Sequence, residues 1–239
     1  MKPSIAKHPE QNVIRVTENL GVIRDLLAQA ARDAGRDADP VRLLAVSKKQ
    51  PVSAILAAAG AGQLDFGENF VQEGIDKMAA IGRRDLVWHF IGHLQTNKTR
   101  AVASHFDWVH TVDRLKVAAR LSEQRPPERT DLNICLQVNI DNEAGKSGIA
   151  GSEVLALAQR VAELPRIRLR GLMCLPMIRQ GFTAQREPFA KLRELFDDLQ
   201  RHGLPVDTLS MGMSDDFRAA VFEGSTIVRI GTALFGVRQ

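Results

Sequence analysis

Apolar and polar positions fall into two alternating textures along this chain. Over positions 11–36, Val13, Val16, Leu20, Ile23, Leu27 and Ala30 recur at three- and four-residue intervals. That spacing predicts an amphipathic helix, closed by Gly35 and Pro40. From there, short apolar and β-branched runs occur at 42–47, 64–67, 87–92, 108–112, 132–140, 169–175, 208–211 and 226–231. Stretches of helical texture separate them, at 52–61, 70–81, 95–104, 114–124, 152–163, 182–202 and 215–223. Ser152 and Asp113 suit N-cap positions for two of these helices.

Strictly alternating strands and helices, with eight strands in 239 residues, predict the α/β class and a closed (β/α)8 TIM-type barrel with an extra N-terminal helix. A doubly wound open sheet would need a glycine-rich turn after an early strand, but the first run ends Val46-Ser47-Lys48-Lys49. No linker interrupts the rhythm. Residues 1–239 are therefore read as a single domain, with 1–39 a helical extension packed on the barrel.

Composition narrows the class. Hydrophobic residues at 44% and charged residues at 25% exclude a disordered chain. Folding a chain of this mass buries roughly 70% of its surface, so the core needs no disulfide staples. Cys135 and Cys174 both sit in apolar runs and read as buried thiols of a reducing compartment. With no membrane-length apolar run and no signal-peptide core, the expected location is cytoplasmic, without a membrane partner. The net charge of +4 is spread along the chain. Its densest basic patch, Arg166, Arg168 and Arg170, lacks interleaved aromatics; it reads as a solvated strand edge or a small-anion contact, not a nucleic-acid surface.

Barrels place chemistry at the C-terminal ends of their strands. Three features stand out there. Lys48 follows the first run, where partial desolvation would lower an ammonium pKa and prepare a neutral amine for Schiff-base chemistry; the alternative is a snorkelling surface lysine. Alternation sends Lys48 and Lys49 to opposite sides, so one of them enters the mouth. After the last two runs, Ser210-Met211-Gly212-Met213-Ser214 and Gly231-Thr232 have the small residues and hydroxyls of a phosphate-binding pair of loops. Arg229 lies in an otherwise apolar strand and calls either for a carboxylate partner or for a ligand acceptor.

Other patterns carry less. Gly145-Lys146-Ser147 looks like the tail of a P-loop, but position 140 is Ile where that loop needs glycine. His89 and His93 are four apart on a strand and cannot close on one metal, so no metal site is expected. Asp215 and Asp216 read as helix N-terminal charges.

With these residues aligned, the chain resembles the pyridoxal phosphate homeostasis protein family, a PLP-binding barrel related to the N-terminal domain of alanine racemase. The matching strings are Ala45-Val46-Ser47-Lys48, Phe66-Gly67-Glu68-Asn69 and Trp88-His89-Phe90-Ile91-Gly92. Further matches are Lys146-Ser147-Gly148, Arg170-Gly171-Leu172-Met173, the run from Leu209 to Asp216, and Val228-Arg229-Ile230-Gly231-Thr232. The resemblance implies that Lys48 holds pyridoxal 5'-phosphate (PLP) as a Schiff base. It implies that Ser210, Met211, Gly231 and Thr232 surround the phosphate, that Arg229 faces the pyridine nitrogen, and that Asn69 lines the pocket. An arginine there can only donate, which weakens the cofactor as an electron sink. Two positions depart from the family: Phe70 where tyrosine is frequent, and Gln50 where a second lysine sometimes stands.

The implied role is a carrier and regulator of PLP without an established reaction of its own, a monomer whose partners are PLP and apo PLP-dependent enzymes. A racemase-like enzyme acting on amino acids is the alternative. It would need an acid–base group on each face of a carbanion, and the chain has no tyrosine, leaving His93 or Lys146 to substitute. A PLP-free Schiff-base aldolase acting on phosphorylated sugars would use the same Lys48 and phosphate loops, but Arg229 and the family strings disfavour it.

Overall fold

The computed structural model describes residues 9–36 and 41–236. Helix α1 (Pro9–Asp33) precedes eight strands that close into one parallel barrel in sequence order. The strands are β1 (Arg42–Val46), β2 (Asp65–Glu68), β3 (Val87–Phe90), β4 (Trp108–Val112), β5 (Leu132–Val138), β6 (Ile167–Cys174), β7 (Thr208–Ser210) and β8 (Ile227–Ile230). Between them run α2 (Val52–Gly60), α3 (Val71–Ile81), α4 (Thr99–His105), α5 (Leu115–Gln124), α6 (Val154–Ala162), α7 (Phe182–Arg201) and α8 (Phe217–Phe222). A final α9 (Thr232–Phe235) follows β8. Pairing of Leu43 with Val228 and of Leu44 with Arg229 seals β1 to β8. This is the (β/α)8 TIM-type barrel that the alternating pattern predicts.

Local chemistry explains the departures from the predicted elements. Pro40 and the side chain of Val13 lie outside the described residues. Ser152 is not a cap: α6 is entered through a 3₁₀ turn, Gly151–Glu153, which moves its N-cap to Glu153. Asp113 precedes the α5 N-cap, Arg114, and pairs with that guanidinium at 2.7 Å. Thr232, read with Gly231 as part of a loop, opens α9. A closed barrel also has no solvated strand edge for the arginine patch. Arg170 instead lies 4.8 Å over the Trp108 ring and pairs with Asp207, at the N-terminal end of the barrel.

Alternation along the strands sorts residues into two cores. Leu43, Ala45, Phe66, Trp88, Val109 and Leu172 point outward under the helices. Leu44, Trp108, Cys135, Met173 and Ile227 fill the barrel interior. Helix α1 packs against α2, α8 and α9. It buries Val16, Leu20, Ile23 and Leu27, and Asn19 donates to the carbonyl of Leu234 in α9.

Candidate functional site

The C-terminal end of the barrel opens into a cavity of about 570 Å³. Val46, Lys48 and Gln50 come from the end of β1, Asn69 from β2, Ile91 from β3, and Met173 and Leu175 from β6. The opposite wall is Met213, Ser214 and Asp215 after β7, then Arg229, Gly231, Thr232, Ala233 and Gly236. Five of the seven sequence-predicted site residues, Lys48, Asn69, Arg229, Gly231 and Thr232, therefore share one chamber.

Ser210 and Met211 do not line it. On β7 the interior-facing position is Ser210, and its hydroxyl lies below the cavity, 2.8 Å from Arg229 and 2.7 Å from His110. Met211 turns outward into the helix-facing core. Ser214 and Asp215, four and five residues beyond Ser210, supply that wall instead.

Lys48 reaches the mouth because of its turn. Leu44 and Val46 face inward on β1, and Lys48 continues that side, half-buried. The Gln50 N–H donates to the Ser47 carbonyl at 3.0 Å, closing a tight turn in which Lys49 takes φ +59°. Lys49 is thereby turned outward, its ammonium 6.0 Å from the Phe70 ring centre and its backbone N–H on Glu73.

Sequence reasoning missed the platform beneath that turn. Lys77 of α3 is only 7% exposed. Its ammonium donates to the Ser47 carbonyl at 2.7 Å, to Glu68 at 2.8 Å and to Glu73 at 2.6 Å. The Ser47 hydroxyl donates to Glu68 at 2.6 Å. Burial pushes the Glu68 carboxyl above its usual range, although Lys77 and Ser47 pull it back. Glu73 and Lys77, one turn apart on α3, have the spacing of an ordinary solvated helix face; the visible signal was that Ser47 and Glu68 face away from the cavity, toward α3.

Asn69 is held by a close approach. A Cβ on Gly92 would sit 2.0 Å from the Asn69 carbonyl oxygen, so only glycine lets the β3 end pass the β2 end. The Oδ1 of Asn69 is buried and has no hydrogen-bond partner among the described residues. Arg229 is also fixed. Its Nη1 donates to the Ser210 carbonyl at 2.6 Å and its Nη2 to the Cys174 carbonyl at 2.9 Å. Among the described residues no carboxylate pairs with it directly, so the ion-pair alternative falls away. Burial pulls its pKa down, yet a guanidinium stays charged and can only donate.

The remaining candidates stand apart. His93 Nδ1 lies 3.2 Å from the Ser147 hydroxyl, and Lys146 pairs with Glu143; neither lines the cavity. Asp216 caps its loop, accepting the Met213 N–H at 2.6 Å. Cys135 and Cys174 are buried, free thiols whose pKa burial pushes up to about 12. No cluster of metal-ligating side chains exists among the described residues, and none of their helices is long and apolar enough to cross a membrane.

Residues 19–239 match the family described as alanine racemase, N-terminal domain. The chain is 54% identical over 224 residues to the pyridoxal phosphate homeostasis protein of Pseudomonas aeruginosa, covering 94% of this chain and 96% of that one. It is 51% identical over 227 residues to the protein of the same name from Escherichia coli K12, covering 94% and 97%. Among solved structures, PipY of Synechococcus elongatus with PLP bound superposes with a TM-score of 0.81 at 37% identity, covering 92% of this chain and 100% of that one. With the family model matched over residues 19–239 and relatives about half identical over nearly their whole length, the chain belongs to the pyridoxal phosphate homeostasis protein family.

Proposed function

We propose that this protein binds PLP, holds it on Lys48 as a reversible Schiff base, and acts as a monomeric cytoplasmic carrier that delivers it to apo-enzymes. The observation that carries this reading is the convergence of Lys48, Asn69 and Arg229 with Gly231 and Thr232 in one cavity. The donor set suits the group. Hydroxyls of Ser214 and Thr232 match a phosphate, and Asn69 Oδ1 leaves a polar group for a ligand to satisfy. When bound, PLP supplies an aldehyde that condenses with a lysine amine, releasing one water; hydrolysis restores both.

The protein's own residues favour holding over turnover. Val46, Ile91, Met173 and Leu175 give Lys48 apolar neighbours in the cavity wall. Arg229 presents donors alone to any ring nitrogen, which opposes protonation there and so opposes carbanion chemistry. His93 and Lys146, the groups that would replace a racemase tyrosine, are engaged outside the cavity. The test is a titration of the protein with PLP followed by visible absorbance, then addition of an apo-aminotransferase. Wild type develops the band and restores aminotransferase activity, and Lys48→Ala does neither. A band retained in Lys48→Ala contradicts the reading.

A further inference from the structure

Below the cavity, the barrel interior holds a line of polar side chains that ends on Arg229 in the cavity wall. Arg229 Nη1 donates to the Ser210 hydroxyl oxygen at 2.8 Å. That oxygen lies 2.7 Å from Nδ1 of His110. His110 Nε2 lies 2.9 Å from Nδ1 of His89, and His89 Nε2 lies 3.0 Å from Oδ1 of Asp65. Asp65 opens β2, whereas Asn69, just past the end of the same strand, lines the cavity. The line therefore crosses the barrel from its N-terminal to its C-terminal end.

Its surroundings are dry. His89, His110 and Ser210 are fully buried, Arg229 is 4% exposed, and Leu44, Trp108, Cys135 and Met173 pack the same interior. The Trp108 ring stacks on His89 with centroids 5.4 Å apart and planes 11° from parallel. Burial pushes both histidines below the usual range, and each also feels neighbouring cations, Arg42 for both and Arg229 for His110.

With both imidazoles neutral, the chemistry of the ends settles every proton. A carboxylate only accepts, so His89 carries its proton on Nε2 and presents Nδ1 as an acceptor. His110 must then donate from Nε2, leaving its own Nδ1 to accept the Ser210 hydroxyl proton. Arg229 only donates, which the Ser210 oxygen accommodates. All bonds point one way, from the cation to the anion.

We propose that Asp65, His89, His110 and Ser210 are positioning residues: a one-way hydrogen-bond relay that fixes the Arg229 guanidinium at the cavity and couples it to a carboxylate at the far end of the barrel. The relay stands on its own geometry; its consequence for the cofactor rests on the PLP reading. It explains how an arginine with no carboxylate beside it is kept in a buried site.

The test is nitrogen NMR on ¹⁵N-labelled protein without cofactor, which reads protonation and tautomer of each histidine directly. At neutral pH both His89 and His110 are expected neutral with the proton on Nε2. An Nδ1–H tautomer or an imidazolium at either position would overturn the relay. Asp65→Asn keeps an acceptor oxygen but removes the charge, and is expected to shift His89, His110 and Arg229 guanidinium resonances together. His93→Asn, outside the line, is expected to shift none of them. A response to Asp65→Asn confined to His89 would overturn the coupling. Should that variant fail to fold, Ser210→Ala is the second probe, with the expected loss of the hydrogen-bonded signature at His110 Nδ1; an unchanged Nδ1 resonance would overturn the link. These readings need no PLP, so failure of the Lys48 adduct would sink the cofactor reading and leave the relay standing. In the loaded protein, Asp65→Asn is expected to shift the bound-cofactor absorbance although it lies outside the cavity; an unmoved spectrum would overturn the positioning role.

Discussion

Replacing Lys77 by alanine removes the post that supports the Lys48 turn. Lys77 is 7% exposed, and its ammonium satisfies the Ser47 carbonyl and two carboxylates, of which the Glu68 side chain is fully buried. Removing one partner of a buried ion pair costs ~3–5 kcal/mol, because the other charge remains without compensation. For a chain of this size each kcal/mol moves the midpoint by ~2–4 °C, so Lys77→Ala should melt ~6–20 °C below wild type. Urea denaturation followed by circular dichroism gives the free-energy difference directly. The loss should also depend on pH. Without Lys77, Glu68 is held further above its unfolded value, so the folded state binds a proton that the unfolded chain releases. Stability of the variant then falls as pH rises through the acidic range, and the deficit is smaller at pH 5 than at pH 8. Glu68→Leu combined with Lys77→Met removes both charges and should recover most of the loss. A deficit below ~1 kcal/mol for Lys77→Ala would refute the claim that this cluster holds the turn.

Two further outcomes concern the interior and the rim. His89 and His110 have folded pKa values lowered from 6.5 by burial, so the unfolded chain binds protons that the folded one refuses. Their contribution is complete above pH 6.5 and declines as pH drops below it, by up to ~1.4 kcal/mol per pH unit for each histidine; urea midpoints across this range should flatten in His89→Asn combined with His110→Asn. At the rim, Gly92→Ala drives a Cβ into the Asn69 carbonyl and should destabilise by ~1–3 kcal/mol while weakening PLP uptake, measured by urea melts and absorbance titration.

The strands were legible because burial on both faces of a parallel barrel writes continuous apolar runs, and the C-terminal-end rule converted them into site residues. Lys48, Asn69, Arg229, Gly231 and Thr232 follow from that rule and from the family strings. Ser210 was read as a hydroxyl for phosphate, yet it is the interior-facing residue of strand β7, and alternation turns it inward under Arg229. The relay was hidden for a related reason. His89 and His110 each look like isolated polar residues in apolar strands, and only barrel closure brings strands β2, β3, β4, β7 and β8 around one axis. Lys77 was invisible because helical Lys–Glu spacing usually marks solvent; what matters here is which way Ser47 and Glu68 point.

The claim on which the account turns is that one amine, at position 48, takes the cofactor. Incubation with PLP, reduction with borohydride and peptide mass spectrometry locate the adduct without relying on any spectrum. The account predicts a single stable adduct on the peptide bearing Lys48, distinguished by fragmentation from its neighbour Lys49. An adduct on Lys49, Lys77 or Lys146, or no adduct at all, would contradict it.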